Sequence, residues 1–517
     1  MGHFRWGVAR TMALMAGVSL AAALAPVPAS AQAEFLQGFD AYVEEARQDW
    51  QVPGVAVAVV KDGRVVYARG FGQRDADVGG AVDEHTVFAI GSSTKPFTAA
   101  AVGMLVADGR VSWDDPVVEH MPGFRLPDPY RTAEITFRDL LAHRTGVGQA
   151  GLVWTGTGFS RDEILRRLRH HDEGTSLRSA FGYSNEMYLL AGEAVGRVAG
   201  TTWDDFVRDR LLEPLGMTRS GTSIDDLAGM ENVASPHVLG PDGPVPVAYR
   251  HIDNIGPAGS INASVLDLAQ WVRLNLGEGT VDGREILPAE VVREMQAPQM
   301  VVPGWMFEQT TPEAEFLLYG LGWFLHEYRG HKVVEHGGAI DGMHALVGML
   351  PGENLGIAVV SNRYPQHLPY ALMYRVFDAY LGEPSTDWST RLRAEHTGAP
   401  PAAAGGEGEG PTAGSDPETA GAAGHEPTLP LDRYAGTYDH PVYGPVEITL
   451  EAEGLVLRRP ASEADLAHRR FDTFVADWRS PGIASVLGRT PVLFTIGPAG
   501  QVVALGLGGF AEFQRVP

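Results

Sequence analysis

Ser92 and Lys95 stand three residues apart in Phe88-Ala89-Ile90-Gly91-Ser92-Ser93-Thr94-Lys95-Pro96. Residues 93 to 106 read as a helix, with Phe97, Ala101 and Leu105 on one stripe. A spacing of three puts Ser92 and Lys95 on one face of the first turn. There the backbone N–H groups lack helical partners, and the helix dipole favours negative charge such as a developing oxyanion. A serine hydroxyl is a weak nucleophile until a neighbouring base takes its proton. Lysine can be that base if burial lowers its pKa from about 10.4, whereas arginine stays above about 12. The chain's lysines are Lys61, Lys95 and Lys332 alone, so a lysine here asks for a reason. By itself the pair is a weak signal, since an N-capping serine ahead of an exposed lysine matches it more often.

Two further runs add to it. Phe181-Gly182-Tyr183-Ser184-Asn185 precedes a helical pattern with Met187, Leu190 and Ala194. A tyrosine can relay protons to a serine when a nearby cation lowers its pKa. Asn185 offers an amide to orient the lysine and hold a substrate carbonyl. Taken alone, Tyr183 reads as a core aromatic with a satisfied hydroxyl. Glu335-His336-Gly337-Gly338-Ala339 follows the apolar pair Val333-Val334. Its glycines allow close backbone approach, and the N–H of Ala339 with that of Ser92 could form an oxyanion hole. Taken alone, it reads as a glycine turn.

The ordered trio Ser92-x-x-Lys95, Tyr183-x-Asn185 and His336-Gly337-Gly338 resembles the class C β-lactamase, DD-peptidase and family VIII esterase group of serine hydrolases. Supporting segments resembling the group are Ile135-Thr136-Phe137-Arg138-Asp139-Leu140-Leu141-Ala142-His143-Arg144-Thr145-Gly146, Glu213-Pro214-Leu215-Gly216-Met217 and Ala258-Gly259-Ser260-Ile261-Asn262-Ala263-Ser264. The resemblance covers about residues 35–383. It implies that Ser92 is acylated and that Lys95 and Tyr183 share general acid and base duty, the resting base being left open. It further implies that Asn185 binds substrate and that His336, Gly337 and Gly338 flank the cleft. The N–H groups of Ser92 and Ala339 would hold the oxyanion. No metal or cofactor is expected. β-Lactamases of the group usually carry Lys-Thr-Gly at the third motif, where this chain has His-Gly-Gly. A lysine that would grip a substrate carboxylate is replaced by a histidine titrating near about 6.5. Small ester or peptide substrates, including D-amino-acid ones, are therefore expected, with weak or no β-lactamase action. The alternative is a non-catalytic or slowly acylated penicillin-binding or cell-wall sensor protein. Retention of serine, lysine, tyrosine and asparagine together argues against it.

The elements that must position these groups are legible in outline. Gly54 to Val60 is a buried-strand run, Asp62-Gly63 a hairpin signal, and Val65 to Tyr67 the return strand. His344 to Leu350 and Gly356 to Val360 form a second pair around Pro351-Gly352-Glu353-Asn354, followed by a helix with Leu372, Val376 and Tyr380. Strands at both ends with helices between predict an α+β fold. One antiparallel sheet is flanked by helices and carries an inserted helical subdomain, of the β-lactamase/transpeptidase kind by resemblance. The cleft between the parts is the natural site. Residues 398–428, rich in Ala, Gly, Pro, Glu and Thr, read as a flexible linker. Residues 429–517 read as a small antiparallel β domain, a barrel or a sandwich. From Leu431-Asp432-Arg433-Tyr434-Ala435-Gly436-Thr437-Tyr438 onward it resembles the lipocalin-like β-barrel appended to some of these hydrolases.

The whole chain sets bounds. Its 517 residues suggest two or three domains. A net charge of −24 argues against nucleic-acid partners. There are no cysteines, which excludes disulfides and thiolate chemistry. Arg5 and Arg10, the apolar run from Thr11 to Ala25 and then Ala29-Ser30-Ala31 read as a signal peptide over 1–31, cut after Ala31 or Ala33. The mature protein is expected in the periplasm or outside the cell, without stable membrane insertion. Self-association is left open. His170-His171-Asp172-Glu173 reads as a solvated loop rather than a metal site, and His143 as structural. Glu335 either tunes His336 by its charge or points away into solvent.

Overall fold

The computed structural model describes residues 29–398, except 173, 305–309, 312 and 385, and residues 425–517, except 510. The expected signal over 1–31 lies outside them up to residue 28, and the expected linker over 399–424.

Eight strands make the main sheet: β1 Gly54–Lys61, β2 Arg64–Gly72, β3 Met300–Val302, β4 Leu317–Tyr319, β5 Phe324–Tyr328, β6 His331–Ile340, β7 Met343–Leu350 and β8 Leu355–Ser361. Their order is β2-β1-β8-β7-β6-β5-β4-β3, antiparallel throughout. The sheet thus closes by pairing both ends of the N-terminal part of the chain, with Val55 opposite Ser361. Both faces are covered, which is why β1 reads as a continuous apolar run rather than an alternation. Val55, Val57 and Val59 pack with Phe39 and Val43 of α1 (Ala29–Asp49) and with Leu372 and Val376 of a later helix. Ala56, Ala58 and Val60 face the inserted helices. Of these, α2 (Lys95–Ala107), α3 (Asn185–Ala199) and α4 (Val265–Leu276) matter most for the site. The later helix is α5 (Leu368–Leu381). Among the described residues no helix is long and apolar enough to cross a membrane.

Residues Gly436–Arg515 form a closed antiparallel barrel of eight strands, which resolves the barrel-or-sandwich alternative. The strands are β9 Gly436–His440, β10 Gly444–Glu451, β11 Gly454–Arg459, β12 Ser462–Arg470, β13 Thr473–Trp478, β14 Thr490–Ile496, β15 Val502–Leu507 and β16 Ala511–Arg515. Closure comes from pairing of the first strand with the last, Tyr438 opposite Arg515. Val446, Leu457, Phe474, Phe494 and Phe513, each at most 2% exposed, fill the interior, as expected for a barrel of this strand number. A short helix, α6 (Pro481–Leu487), joins β13 to β14.

Several histidines are sealed in the core. Burial holds His326 and His344 down at about 4. In the unfolded chain each titrates near about 6.5. Unfolding therefore takes up protons that the folded state refuses. Stability is full above about pH 6.5 and declines as pH falls toward 4. Denaturant melts are expected to lose about 1–2 kcal/mol for each such histidine between pH 7 and pH 5. A midpoint unchanged across that range would contradict their burial.

Candidate active site

Ser92 lies in a single 3-10 turn, Gly91–Thr94, that runs straight into α2 at Lys95. Two side chains pin that turn. Ser93 Oγ donates to the His336 carbonyl at 3.0 Å, and Thr94 Oγ1 accepts from the Ile261 N–H at 3.1 Å. Lys95 is fully buried. Its Nζ donates to Ser92 Oγ at 2.9 Å and to the Ala258 carbonyl at 3.0 Å. The ammonium also sits 4.6 Å from the Tyr183 ring centroid and 5.5 Å from that of Tyr188, a cation–π placement. The sequence-predicted Ser92, Lys95 and Tyr183 are thus brought together. Asn185 opens α3, which packs against α2, and stays partly exposed.

Strand β6 passes directly over the Ser92 turn. A Cβ on Gly338 would fall 2.6 Å from the Ser93 nitrogen and 2.7 Å from that of Ser92. A Cβ on Gly91, which holds φ of +51°, would fall 2.8 Å from the Ala339 nitrogen. The two backbones touch only because neither residue has a side chain. The close approach therefore sets the backbone of Ala339 beside that of the Ser92 turn. Gly337 lies in the same strand, opposite Leu346.

His336 departs from its expected behaviour. It is fully buried, with Nδ1–H donating to the Gly337 carbonyl at 2.5 Å and Nε2 3.0 Å from the Tyr319 hydroxyl. Burial first, and then the Lys95 charge, push its pKa down to about 3. It is neutral at working pH rather than titrating near 6.5. Glu335 does turn to the other side of β6, but into the core rather than into solvent. It is buried there, and its charge helps to raise the pKa of Tyr374 on α5.

His143 braces the tyrosine. Its Nδ1 accepts the Ser184 N–H at 3.1 Å, and its ring lies 4.3 Å from that of Tyr183. Burial and the Lys95 charge hold it neutral. The loop that presents it hangs on Asp139. Burial would raise that carboxyl, but hydrogen bonds from Arg178 and Arg144 hold it below its ordinary range. His171 corrects the solvated-loop expectation: it is buried, with Nε2 3.0 Å from the Gly148 carbonyl, while His170 is exposed. Among the described residues, Asp225, His251 and Asp253 could offer metal-ligand atoms within 4.8 Å of one another, at a largely exposed place common without an ion. The Ala258 carbonyl was missed as a site group, because a backbone acceptor carries no residue-type signal.

The geometry yields a direct expectation. Gly338→Ala must drive the two backbones apart. It should cost about 1–3 kcal/mol or more in thermal or denaturant melts and slow labelling of Ser92 by a fluorophosphonate. Wild-type stability and labelling would contradict the close approach.

Residues 39–380 match the family described as Beta-lactamase, and residues 420–515 match a domain of unknown function, DUF3471. The unguisins hydrolase ungD of Aspergillus violaceofuscus is 30% identical across 91% of this chain and 87% of its own length. Penicillin-binding protein 4 of Amycolatopsis lactamdurans is 30% identical across 64% of this chain and 85% of its own. The octameric penicillin-binding protein homologue from Pyrococcus abyssi shares the fold over 93% of this chain and 99% of its own, with a TM-score of 0.61 at 22% identity. On the match over most of its length, the chain belongs to the β-lactamase family of serine hydrolases and carries the DUF3471 domain as its C-terminal barrel.

Proposed function

We propose that this hydrolase cleaves small ester or peptide substrates, D-amino-acid peptides among them, through an acyl-enzyme on Ser92. The observation that carries the reading is the 2.9 Å hydrogen bond between Ser92 Oγ and the buried Lys95 Nζ. Ser92 Oγ attacks the substrate carbonyl carbon, and its proton passes to the Lys95–Tyr183 pair. The Ser92 and Ala339 N–H groups hold the oxyanion. The pair returns the proton to the departing alcohol or amine as the C–O or C–N bond breaks. Water then attacks the acyl-enzyme by the same route and releases the acid. Asn185 binds the substrate amide. The relative named as an unguisins hydrolase supports a peptide-like substrate.

The neutral His336 sets a limit on that substrate. It supplies no charge for a carboxylate, while Arg250 is committed to Asp341 and Lys332 to the Gln296 carbonyl. This supports weak or absent β-lactamase action. Export belongs to the same proposal, on the strength of the charged, apolar and small-residue order of residues 5–31.

Intact-protein mass spectrometry with a fluorophosphonate, a penicillin and a p-nitrophenyl ester tests the reading. Ser92→Ala should remove the adduct and lower ester turnover by about 1,000-fold or more, and Lys95→Arg by about 100-fold or more. Unchanged turnover in Ser92→Ala ends the assignment. A lasting penicillin adduct with no turnover of any substrate would favour a sensor instead. A second comparison sets a peptide acid against its amide. Their kcat/KM values should agree within about threefold, since a gripped carboxylate would be worth about 10-fold or more.

A further inference from the structure

Arg459, the last residue of β11, is buried where the barrel meets the hydrolase half. Its Nη1 donates to the Thr155 carbonyl at 2.9 Å and its Nη2 to the Leu152 carbonyl at 2.6 Å. Both acceptors are neutral, and burial pushes the guanidinium down to about 10. Burying a guanidinium on carbonyls is costly, and plain docking of two domains does not require it. The two carbonyls flank Trp154. The barrel touches the same loop again, through the Ala461 N–H to the Gly156 carbonyl at 3.2 Å. A side chain at Gly156 would meet Ser462 Oγ at 2.7 Å.

Trp154 passes the contact on. The Arg250 guanidinium lies over its ring, 5.6 Å from the centroid. Arg250 in turn binds the buried Asp341 carboxylate through Nε at 3.0 Å and Nη2 at 2.8 Å. Asp341 and Gly342, both at positive φ, are the two-residue turn between β6 and β7. Ala339 is two residues back along β6. The first turn of α6 reaches the same place, since a side chain at Gly482 would lie 3.9 Å from Asp341 Oδ1.

We propose that Arg459 is a positioning residue for the hydrolase site: through Trp154 and the Arg250–Asp341 pair it fixes the end of β6, and with it the Ala339 N–H beside Ser92. The inference rests on the acyl-enzyme reading. It makes the barrel part of the reaction without touching the reacting atoms.

The test uses the full chain, a p-nitrophenyl ester and fluorophosphonate labelling of Ser92. The variants are Arg459→Met, Arg459→Lys, Asp341→Asn and the double Arg459→Met/Asp341→Asn. Arg459→Met should lower kcat by about 10-fold or more with KM within about threefold, and slow labelling in proportion. Arg459→Lys should recover part of the loss. The double variant should be no slower than its slower single, as one line of contacts requires. Unchanged kcat in a folded Arg459→Met protein, or losses that multiply in the double variant, would overturn the proposal. Should Arg459→Met fail to fold, Arg459→Lys and Asp341→Asn carry the comparison, and parental kcat in both overturns it. A parent chain that neither turns over ester nor labels at Ser92 removes the acyl-enzyme reading itself, and this one with it.

Discussion

The arrangement depends on how closely strand β6 lies over the turn that carries Ser92. Gly91 and Gly338 face each other there, and a Cβ on either would intrude on the opposite backbone. β6 is held there by β7, which pairs with it from Val334 to Ile340, while β5 pairs with it only as far as Glu335. The turn cannot retreat either. Ser93 ties it to the His336 carbonyl, and Lys95 ties it to the Ala258 carbonyl behind. Ser92 is thereby clamped between the sheet and the helical insertion, and neither part alone holds the whole site.

That clamp also explains the histidine in the third motif. A strand pressed against the Ser92 turn has no room for solvent around residue 336, whose side chain is fully buried. Tyr319 on β4 and Phe324 on β5 close over the ring at 5.9 and 5.0 Å between centroids. Lys95 stands near enough to oppose its protonation. A charged side chain at this position would need a path to the surface that the packing does not leave. The chain has instead a neutral ring bridging two strands.

The local features were the legible ones. Ser92 and Lys95 could be paired from their spacing because one helical turn decides it. The closure of the sheet by both ends was readable from two apolar runs, one at each end. What failed was non-local. His336 was given a solution pKa because Tyr319 and Phe324 are not its neighbours in sequence. His171 sits in a polar run, and its burial comes from a loop more than 20 residues earlier. Ala258 contributes a carbonyl, which every residue has. Barrel and sandwich share the same alternation, and only the pairing of the first strand with the last separates them. Arg459 ends an ordinary barrel strand, and docking alone distinguishes it from a surface arginine.

The two halves also differ in how far apart their partners lie along the chain. In the barrel each strand pairs with its sequence neighbour, apart from one closing contact. In the main sheet, β1 must wait for β8, about 300 residues on. Long-range pairing closes slowly, because loop entropy must be lost before contacts reward it. Strand separation along the chain thus favours closure of the barrel ahead of the main sheet when a denatured chain refolds. During synthesis the order reverses: the sheet lacks its β1 partner until Ser361 has emerged, and the barrel follows onto a surface already formed.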